Sequence, residues 1–390
     1  MKTIYLDNAA TTRMSSAVVN AMMPYFSDKF YNPSSIYSQS QEIKETIESC
    51  RVLLAKTINA STNEIFFTSC GSESNNWAIL GTVAAYNNKK HIVTSTIEHH
   101  STLRAVEYLR SNGFEVTYVD VDSNGIIKLD DLKNNIRNNT ALVSIIHANN
   151  EIGTIEPIKE IGDLCHDRGV LFHVDAVQSY CHIPVDVQAC HIDMLSTSAH
   201  KFGGPKGVGF LFKRNGVTLK SLISGGSQER NMRAGTENVA GIVGMAKAAE
   251  IAYGEMHNRS AYEIELRDYC IDRILTEIPY ARLNGDRHLR LPNNVNISFQ
   301  FIEGESLLLS LNKYGICASS GSACTSGALD PSHVLLAIGL THEIAHGSLR
   351  LTISYETKRE DIDFTIEKLK MIVNNLRSIS PLYEDFKKQK

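Results

Sequence analysis

Between Glu64 and Phe212 the chain alternates short β-branched or aromatic runs with helix-like segments, and no other feature limits its possible folds as strongly. Candidate strands occupy residues 65–68, 91–94, 116–119, 141–146, 170–174 and 208–212. Residues 101–111, 130–137 and 157–168 separate them with helical periodicity and helix-start residues. Such alternation predicts an α/β fold, with a mostly parallel sheet flanked by helices. Ligands of such sheets sit outside the carboxyl ends of the strands, so the residues just after each run are the places to look for chemistry.

The pattern changes further along. Residues 235–256 read as one helix with Ala and Gly on one face, suited to close packing or a subunit contact. Beyond it, helices at 259–278, 305–311 and 359–376 and short strands at 295–299, 316–318 and 349–353 describe a smaller α+β unit, which places a boundary near residue 257. The Lys-rich ending from Phe386 to Lys390 reads as a solvated tail. A chain of 390 residues exceeds the usual size of one domain, and 43% hydrophobic residues supply ample core. Lys plus Arg number 39 against 43 Asp plus Glu, without a long basic run, so direct nucleic-acid binding is not expected. No run approaches the roughly 18 apolar residues of a membrane span. Asp7 interrupts the start where a signal peptide would stay apolar, so a cytoplasmic protein with no membrane partner is expected. Eight dispersed cysteines without Cys-x-x-Cys fit neither a disulfide framework nor a usual structural zinc site.

Four motifs carry candidate chemistry. His173-Val174-Asp175-Ala176-Val177-Gln178 puts an acid where a strand leaves the sheet, and Ser198-Ala199-His200-Lys201 follows the short run 194–196. An Asp and a Lys at neighbouring strand ends suit pyridoxal phosphate, where Lys forms the Schiff base and Asp keeps the pyridine nitrogen protonated; on spacing alone an ordinary ion pair is commoner. Thr68-Ser69-Cys70-Gly71-Ser72-Glu73-Ser74-Asn75 runs from a strand through small residues into a helix, a turn whose free N–H groups bind phosphate or are simply capped. Ser198 and His200 could add donors. Ser319-Ser320-Gly321-Ser322-Ala323-Cys324-Thr325-Ser326-Gly327 surrounds one cysteine with small polar residues, describing an accessible thiol rather than a core one. Arg350, a cation in the apolar run Ser348-Leu349-Arg350-Leu351, could clamp a carboxylate bidentately or form a structural ion pair. A rival motif, His342-Glu343-Ile344-Ala345-His346, matches the zinc-protease pattern, but Gly339 and Gly347 leave barely a helical turn for it.

Taken together, these segments resemble the cysteine desulfurases of the NifS/IscS type, class-V aminotransferases within the fold type I pyridoxal phosphate enzymes. The resemblance runs from Tyr5-Leu6-Asp7-Asn8-Ala9-Ala10-Thr11-Thr12 to Ser380-Pro381-Leu382-Tyr383. It includes Asn32-Pro33-Ser34-Ser35, Ala148-Asn149-Asn150-Glu151-Ile152-Gly153, Gly204-Pro205-Lys206-Gly207 and Arg233-Ala234-Gly235-Thr236. The cysteine loop is similar to the longer-loop group rather than the SufS-like group.

The resemblance implies the pyridoxal phosphate-dependent transferase fold. Residues 1–15 would form an N-terminal arm packing on the small domain. A large cofactor-binding domain over 16–256 would contain a mostly parallel seven-stranded sheet, and a small C-terminal domain over 257–390 would carry the cysteine loop. It also implies removal of sulfur from L-cysteine, giving L-alanine and a persulfide on Cys324, for iron-sulfur cluster assembly and for tRNA thiolation.

Residue by residue, Lys201 would be the Schiff-base lysine, Asp175 the partner of the pyridine nitrogen, and His99 the ring that stacks on the cofactor. Gln178 would bond its phenolic oxygen and Asn150 would lie beside cofactor or substrate. Gly71, Ser72, Ser198 and His200 would hold the phosphate, with Thr236 donated by the second subunit of a homodimer. Arg350 would take the substrate carboxylate. The implied partners are a second copy of the chain and an iron-sulfur scaffold or other sulfur-acceptor protein. No resident metal is implied, Cys324 meeting a cluster only transiently during transfer. Tyr37, Ser227 and Asn231 depart from residues common in the family.

Overall fold

The computed structural model describes residues 2–86, 88–320 and 331–388. Its strands are β1 (Ile4–Tyr5), β2 (Ile65–Thr68), β3 (His91–Ser95), β4 (Glu115–Val119), β5 (Thr140–Ile146), β6 (Leu171–Asp175), β7 (Met194–Ser196), β8 (Gly209–Lys213), β9 (Ala281–Leu283), β10 (Asn294–Phe299), β11 (Ile316–Cys317) and β12 (Ser348–Thr352).

A seven-stranded sheet runs in the order β2-β8-β7-β6-β5-β3-β4. Its pairs are parallel except at β8, which is antiparallel to both β2 and β7. The central strands are apolar without alternation because helices cover both faces: all seven residues of β5 are buried. One face packs Val93, Val143, Phe172, Val174 and Leu195 into a core. The other packs Leu142, Met194 and Leu211 against Trp77 of the helix Gly71–Ala85.

Further along, β12, β10 and β9 form an antiparallel sheet, covered by the helices Met256–Glu277 and Arg359–Ser378. Leu266, Ile271, Val295, Ile297, Leu349, Ile366 and Leu369 fill the space between. The first residues of the chain join this body: β1 pairs in parallel with β11, and Leu6 is fully buried. From there the chain crosses to the large sheet, where Thr12 N–H donates to the His200 carbonyl at 2.8 Å.

Most expected elements stand within a residue or two of their places, and three differ. The expected helix 235–256 is Val239–Gly254, because Gly235 has φ +110° and Asn238 caps the helix by accepting from Gly241 N–H. The next helix begins immediately, at Met256 rather than 259. The expected solvated ending is instead the helix Pro381–Lys388 as far as the described residues go. Phe386 lies 5.2 Å from the Tyr280 ring and 4.8 Å from the Phe301 ring, so one face of this helix is held by aromatic packing. The departure at Asn231 is physically conservative: its φ is +64°, a left-handed conformation that Gly and Asn both accommodate.

Candidate active site

The site lies at the carboxyl ends of the central strands. Asp175 is the last residue of β6 and faces Ser196, the last residue of β7, in register. The chain leaving β7 makes one tight turn, Ala199–Lys201, and both Lys201 and Asp175 come close enough to His99 to act on its titration.

Asp175 is 2% exposed, and both of its oxygens are engaged. Oδ1 accepts from Val177 N–H at 3.0 Å and Oδ2 from Asn75 Nδ2 at 2.6 Å. Asn75 also donates to Ser101 Oγ at 2.8 Å, and Ser101 Oγ lies 2.8 Å from His99 Nδ1. Ser101 N–H donates to the same Nδ1 at 3.1 Å, which fixes the tautomer: Nδ1 is the acceptor and the proton of the neutral ring sits on Nε2. Burial lowers the His99 pKa and Asp175 opposes that shift, while Lys201 and His100 add to it. The expected acid and the expected stacking ring are thus one connected network. Its middle members, Asn75 and Ser101, were not singled out from sequence. Asn75 carried a signal nonetheless, since it lies four residues beyond Gly71 on the same helical face.

At the start of that helix Cys70 supplies no side-chain cap. Gly71 is packed so tightly that a Cβ would come 2.6 Å from Val177 Cγ2 and 3.5 Å from Ser198 Cβ. The backbone of the Gly71–Ser72 turn therefore abuts the Asp175 segment and Ser198, which is 2% exposed, with no intervening side chain. His200 Nδ1 lies 3.3 Å from Thr11 Oγ1, and burial, with Lys201 and Lys206 nearby, lowers its pKa to about 4. It is neutral near pH 7 and can offer an N–H without adding charge. Thr236 does not join this group within the chain. It is exposed and lines a separate cavity of about 170 Å³ with Phe67, Gly207 and Arg233.

On the other side, Lys201 Nζ donates to the carbonyls of Ala9 at 2.6 Å and Ala10 at 2.9 Å, and Gln178 Nε2 donates to Ala9 O at 2.9 Å. Arg350 on β12 is 6% exposed. Its NH1 donates to the Asn150 carbonyl at 3.0 Å and its NH2 to Asp7 Oδ1 at 2.9 Å. Its Nε is buried without a hydrogen-bond partner. The strand carrying Arg350 also holds Ser319, through N–H···O bonds of 3.1 and 2.6 Å in both directions.

Cys324, the expected nucleophile, lies outside the described residues. Further along the chain, Ser332 Oγ donates to Glu151 Oε2 at 2.5 Å and His333 Nε2 to the Glu98 carbonyl at 3.0 Å. Burial raises Glu151 to about 7 and Glu98 well above the ordinary carboxylate range. The zinc-protease pattern forms only the five-residue turn His342–His346 with its first His and Glu exposed, too short to present two ligands from a supported helix.

The residues fit pyridoxal phosphate. A buried carboxylate held by two donors, a lysine one strand away, a side-chain-free turn at a helix start and a neutral histidine donor match its ring nitrogen, aldehyde and phosphate.

Comparison with known proteins gives the same direction. The family model described as aminotransferase class-V matches residues 4–364. The cysteine desulfurase IscS of Clostridium botulinum strain Hall is 52% identical over 394 residues, covering 100% of this chain and 99% of that protein. The cysteine desulfurase IscS of Methanosarcina thermophila is 51% identical over 382 residues, covering 98% and 94%. Among solved structures, a NifS-like protein superposes with TM-score 0.91 at 37% identity, covering 96% of this chain and 100% of that one. SspA in complex with cysteine superposes with TM-score 0.81 at 36% identity, covering 91% and 99%.

Proposed function

Because the chain belongs to the class-V aminotransferase family and, within it, to the cysteine desulfurases of the NifS/IscS type, we propose that it removes sulfur from L-cysteine, releasing L-alanine and leaving a persulfide on Cys324. The observation that supports this most directly is the meeting of Lys201, Asp175 and His99 at one sheet edge, with Arg350 tied to the same edge through Asn150.

Pyridoxal phosphate, when bound, supplies an electron sink for bonds at the substrate's α-carbon. The protein's own groups do the rest. Asp175, held by Asn75 and Val177, keeps a proton on the pyridine nitrogen by placing a fixed negative charge against it. The Gly71–Ser72 turn, Ser198 and neutral His200 would hold the phosphate, and Gln178 would bond the phenolic oxygen. Arg350 takes the substrate carboxylate. Lys201 would take the proton from the substrate's α-carbon and return one to it as alanine forms. Cys324 as thiolate then attacks the substrate sulfur: an S–S bond forms, the C–S bond breaks, and its electron pair passes to the substrate carbon, which takes up a proton to become the methyl group of alanine.

The reading extends to the assembly. Thr236, exposed and apart from its own chain's phosphate turn, would serve the cofactor of a second copy, making the enzyme a homodimer. Arg233, three residues earlier, anchors this segment by bonding Glu73 at 2.9 and 3.1 Å. The persulfide would pass to an iron-sulfur scaffold or other acceptor protein in the cytoplasm, with tRNA thiolation as a further outlet.

The test is alanine and sulfide formed from L-cysteine by the purified protein with pyridoxal phosphate and a thiol reductant. Both products should appear with wild type and collapse with Cys324→Ala. Full activity in Cys324→Ala would overturn the role of the thiol. Cofactor binding without alanine would overturn the reaction.

A further inference from the structure

The loop between β1 and the first helix touches both ends of the site, although no motif assigns it a role. Ala9 and Ala10 hold Lys201 Nζ through their carbonyls, and two residues earlier Asp7 holds Arg350. We propose that Asp7 is a positioning residue for substrate recognition: it fixes the Arg350 guanidinium so that the unpaired Nε–H, with a neighbouring N–H, is free to take the carboxylate of the incoming amino acid. This rests on the assignment of the substrate carboxylate to Arg350.

The geometry carries the inference in three steps. Arg350 is 6% exposed, and a buried guanidinium without a counter-charge is strongly disfavoured; the direct partner supplied is Asp7, at 2.9 Å. NH1 is held from the opposite side by the Asn150 carbonyl, so the planar group cannot rotate about its long axis without losing one of the two bonds. Among the described residues Nε is then left as a buried donor with no partner, on the one cation of this wall that the carboxylate assignment already requires to meet an anion. Such a fork, fixed in advance, loses little freedom when a carboxylate arrives.

The Asp7 carboxylate repels a second carboxylate, so its net effect is a contest between charge and orientation. Its side chain contacts one guanidinium nitrogen and leaves Nε open, which favours orientation. The backbone of Asp7 has separate duties: its carbonyl accepts from Tyr5 Oη at 3.0 Å and from Ala10 N–H at 3.0 Å. A side-chain substitution leaves those bonds available.

The experiment uses the cofactor-loaded enzyme and two readouts: KM and kcat for L-cysteine, and the affinity for L-alanine, which has the carboxylate and amine but no sulfur, followed by cofactor absorbance. Asp7→Asn should raise KM and weaken L-alanine binding about 10-fold, the loss of one charge-assisted hydrogen bond, with kcat within about 2-fold and cofactor content unchanged. Asp7→Ser serves the same test if Asp7→Asn does not fold. The double variant Asp7→Asn/Arg350→Ala should bind L-alanine no worse than Arg350→Ala alone, since Asp7 acts through Arg350. An unchanged or lowered KM, a fall in kcat alone, or additive losses in the double variant would overturn the proposal. If Arg350→Ala itself keeps full affinity for L-alanine, the carboxylate assignment fails first, and that result is read independently of Asp7.

Discussion

The two walls of the site are built differently. In the cofactor-side wall, Asp175–Asn75–Ser101–His99, both Asp175 oxygens and His99 Nδ1 have partners close in the chain or on the adjacent helices, and the one buried atom left unmatched among the described residues is an acceptor, Asn75 Oδ1. The substrate-side wall is assembled from residues far apart in the chain. Arg350 is held by Asp7 and Asn150, and Lys201 by the carbonyls of Ala9 and Ala10. It also keeps an unmet donor at Arg350 Nε. A carboxylate held on both oxygens suits a group that stays; a guanidinium with a donor to spare suits one that comes and goes.

Substitutions can break this contrast. Lys201→Ala, which removes the amine that both walls address, should lower alanine formation by on the order of 10³-fold or more, and retention of more than a tenth of activity would remove Lys201 from the chemistry. On the cofactor-side wall, Asp175→Ala should cost on the order of 10³-fold in kcat and shift the visible absorption of the bound cofactor. Asn75→Ala leaves the aspartate in place but takes a 2.6 Å donor from a buried carboxylate, so kcat should fall about 10-fold to 100-fold, accompanied by a smaller shift in the same absorption band. If KM moved instead, Asn75 would belong with the substrate and the two walls would not be separate.

Gly71→Ala sharpens the same contrast at the phosphate. Helix propensity alone favours Ala by roughly 0.5–1 kcal/mol. The new Cβ would meet Val177 Cγ2 at 2.6 Å, and a β-branched side chain has little room to turn away. The affinity for pyridoxal phosphate, measured by dialysis and reconstitution, should weaken about 10-fold, because the turn must retreat by several tenths of an ångström. Unchanged affinity would place the phosphate elsewhere.

Sequence was enough for the charged groups of both walls and for little of what holds them, for a physical reason. The buried parallel strands are apolar runs, and the chemistry falls where each run stops; Asp175 and Lys201 stand at such stops, so periodicity located them. Asn75 was within reach by helical spacing from Gly71. The Asp7–Arg350 pair spans 343 residues, and no local pattern announces which acid a distant arginine will meet. The tail helix was misread for a related reason: its apolar face is satisfied by Tyr280 and Phe301, about a hundred residues away, while the local signal was a lysine cluster. The choice of Cys324 rested on its small polar neighbours and on resemblance to a family.

The smallest expected effect concerns stability, at Glu151, where Ser332 packs against the site. Burial holds the Glu151 carboxyl at about 7 rather than its ordinary 4.5, with Ser332 Oγ and Arg350 only partly opposing the rise. The folded protein therefore binds a proton on Glu151 that the unfolded chain has released once the pH exceeds about 4.5. Folding stability contributed here is fully present below that value, declines as pH rises towards about 7, and is lost above it, by an amount on the order of 3 kcal/mol at most. Glu151→Gln keeps an acceptor for Ser332 Oγ and removes the titration. In urea unfolding at pH 5 and pH 8, the stability of the variant relative to wild type should be higher at pH 8 than at pH 5. Glu156 and Glu263, both buried and both raised to about 8, titrate in the same direction, His147 and His200, both lowered to about 4 by burial, in the opposite one, and together they set the part of the slope that the variant keeps. A variant with the wild-type slope would mean that Glu151 is already ionised in the folded protein, its charge balanced by Arg350, and the substrate-side wall would then hold two acids on one guanidinium rather than one.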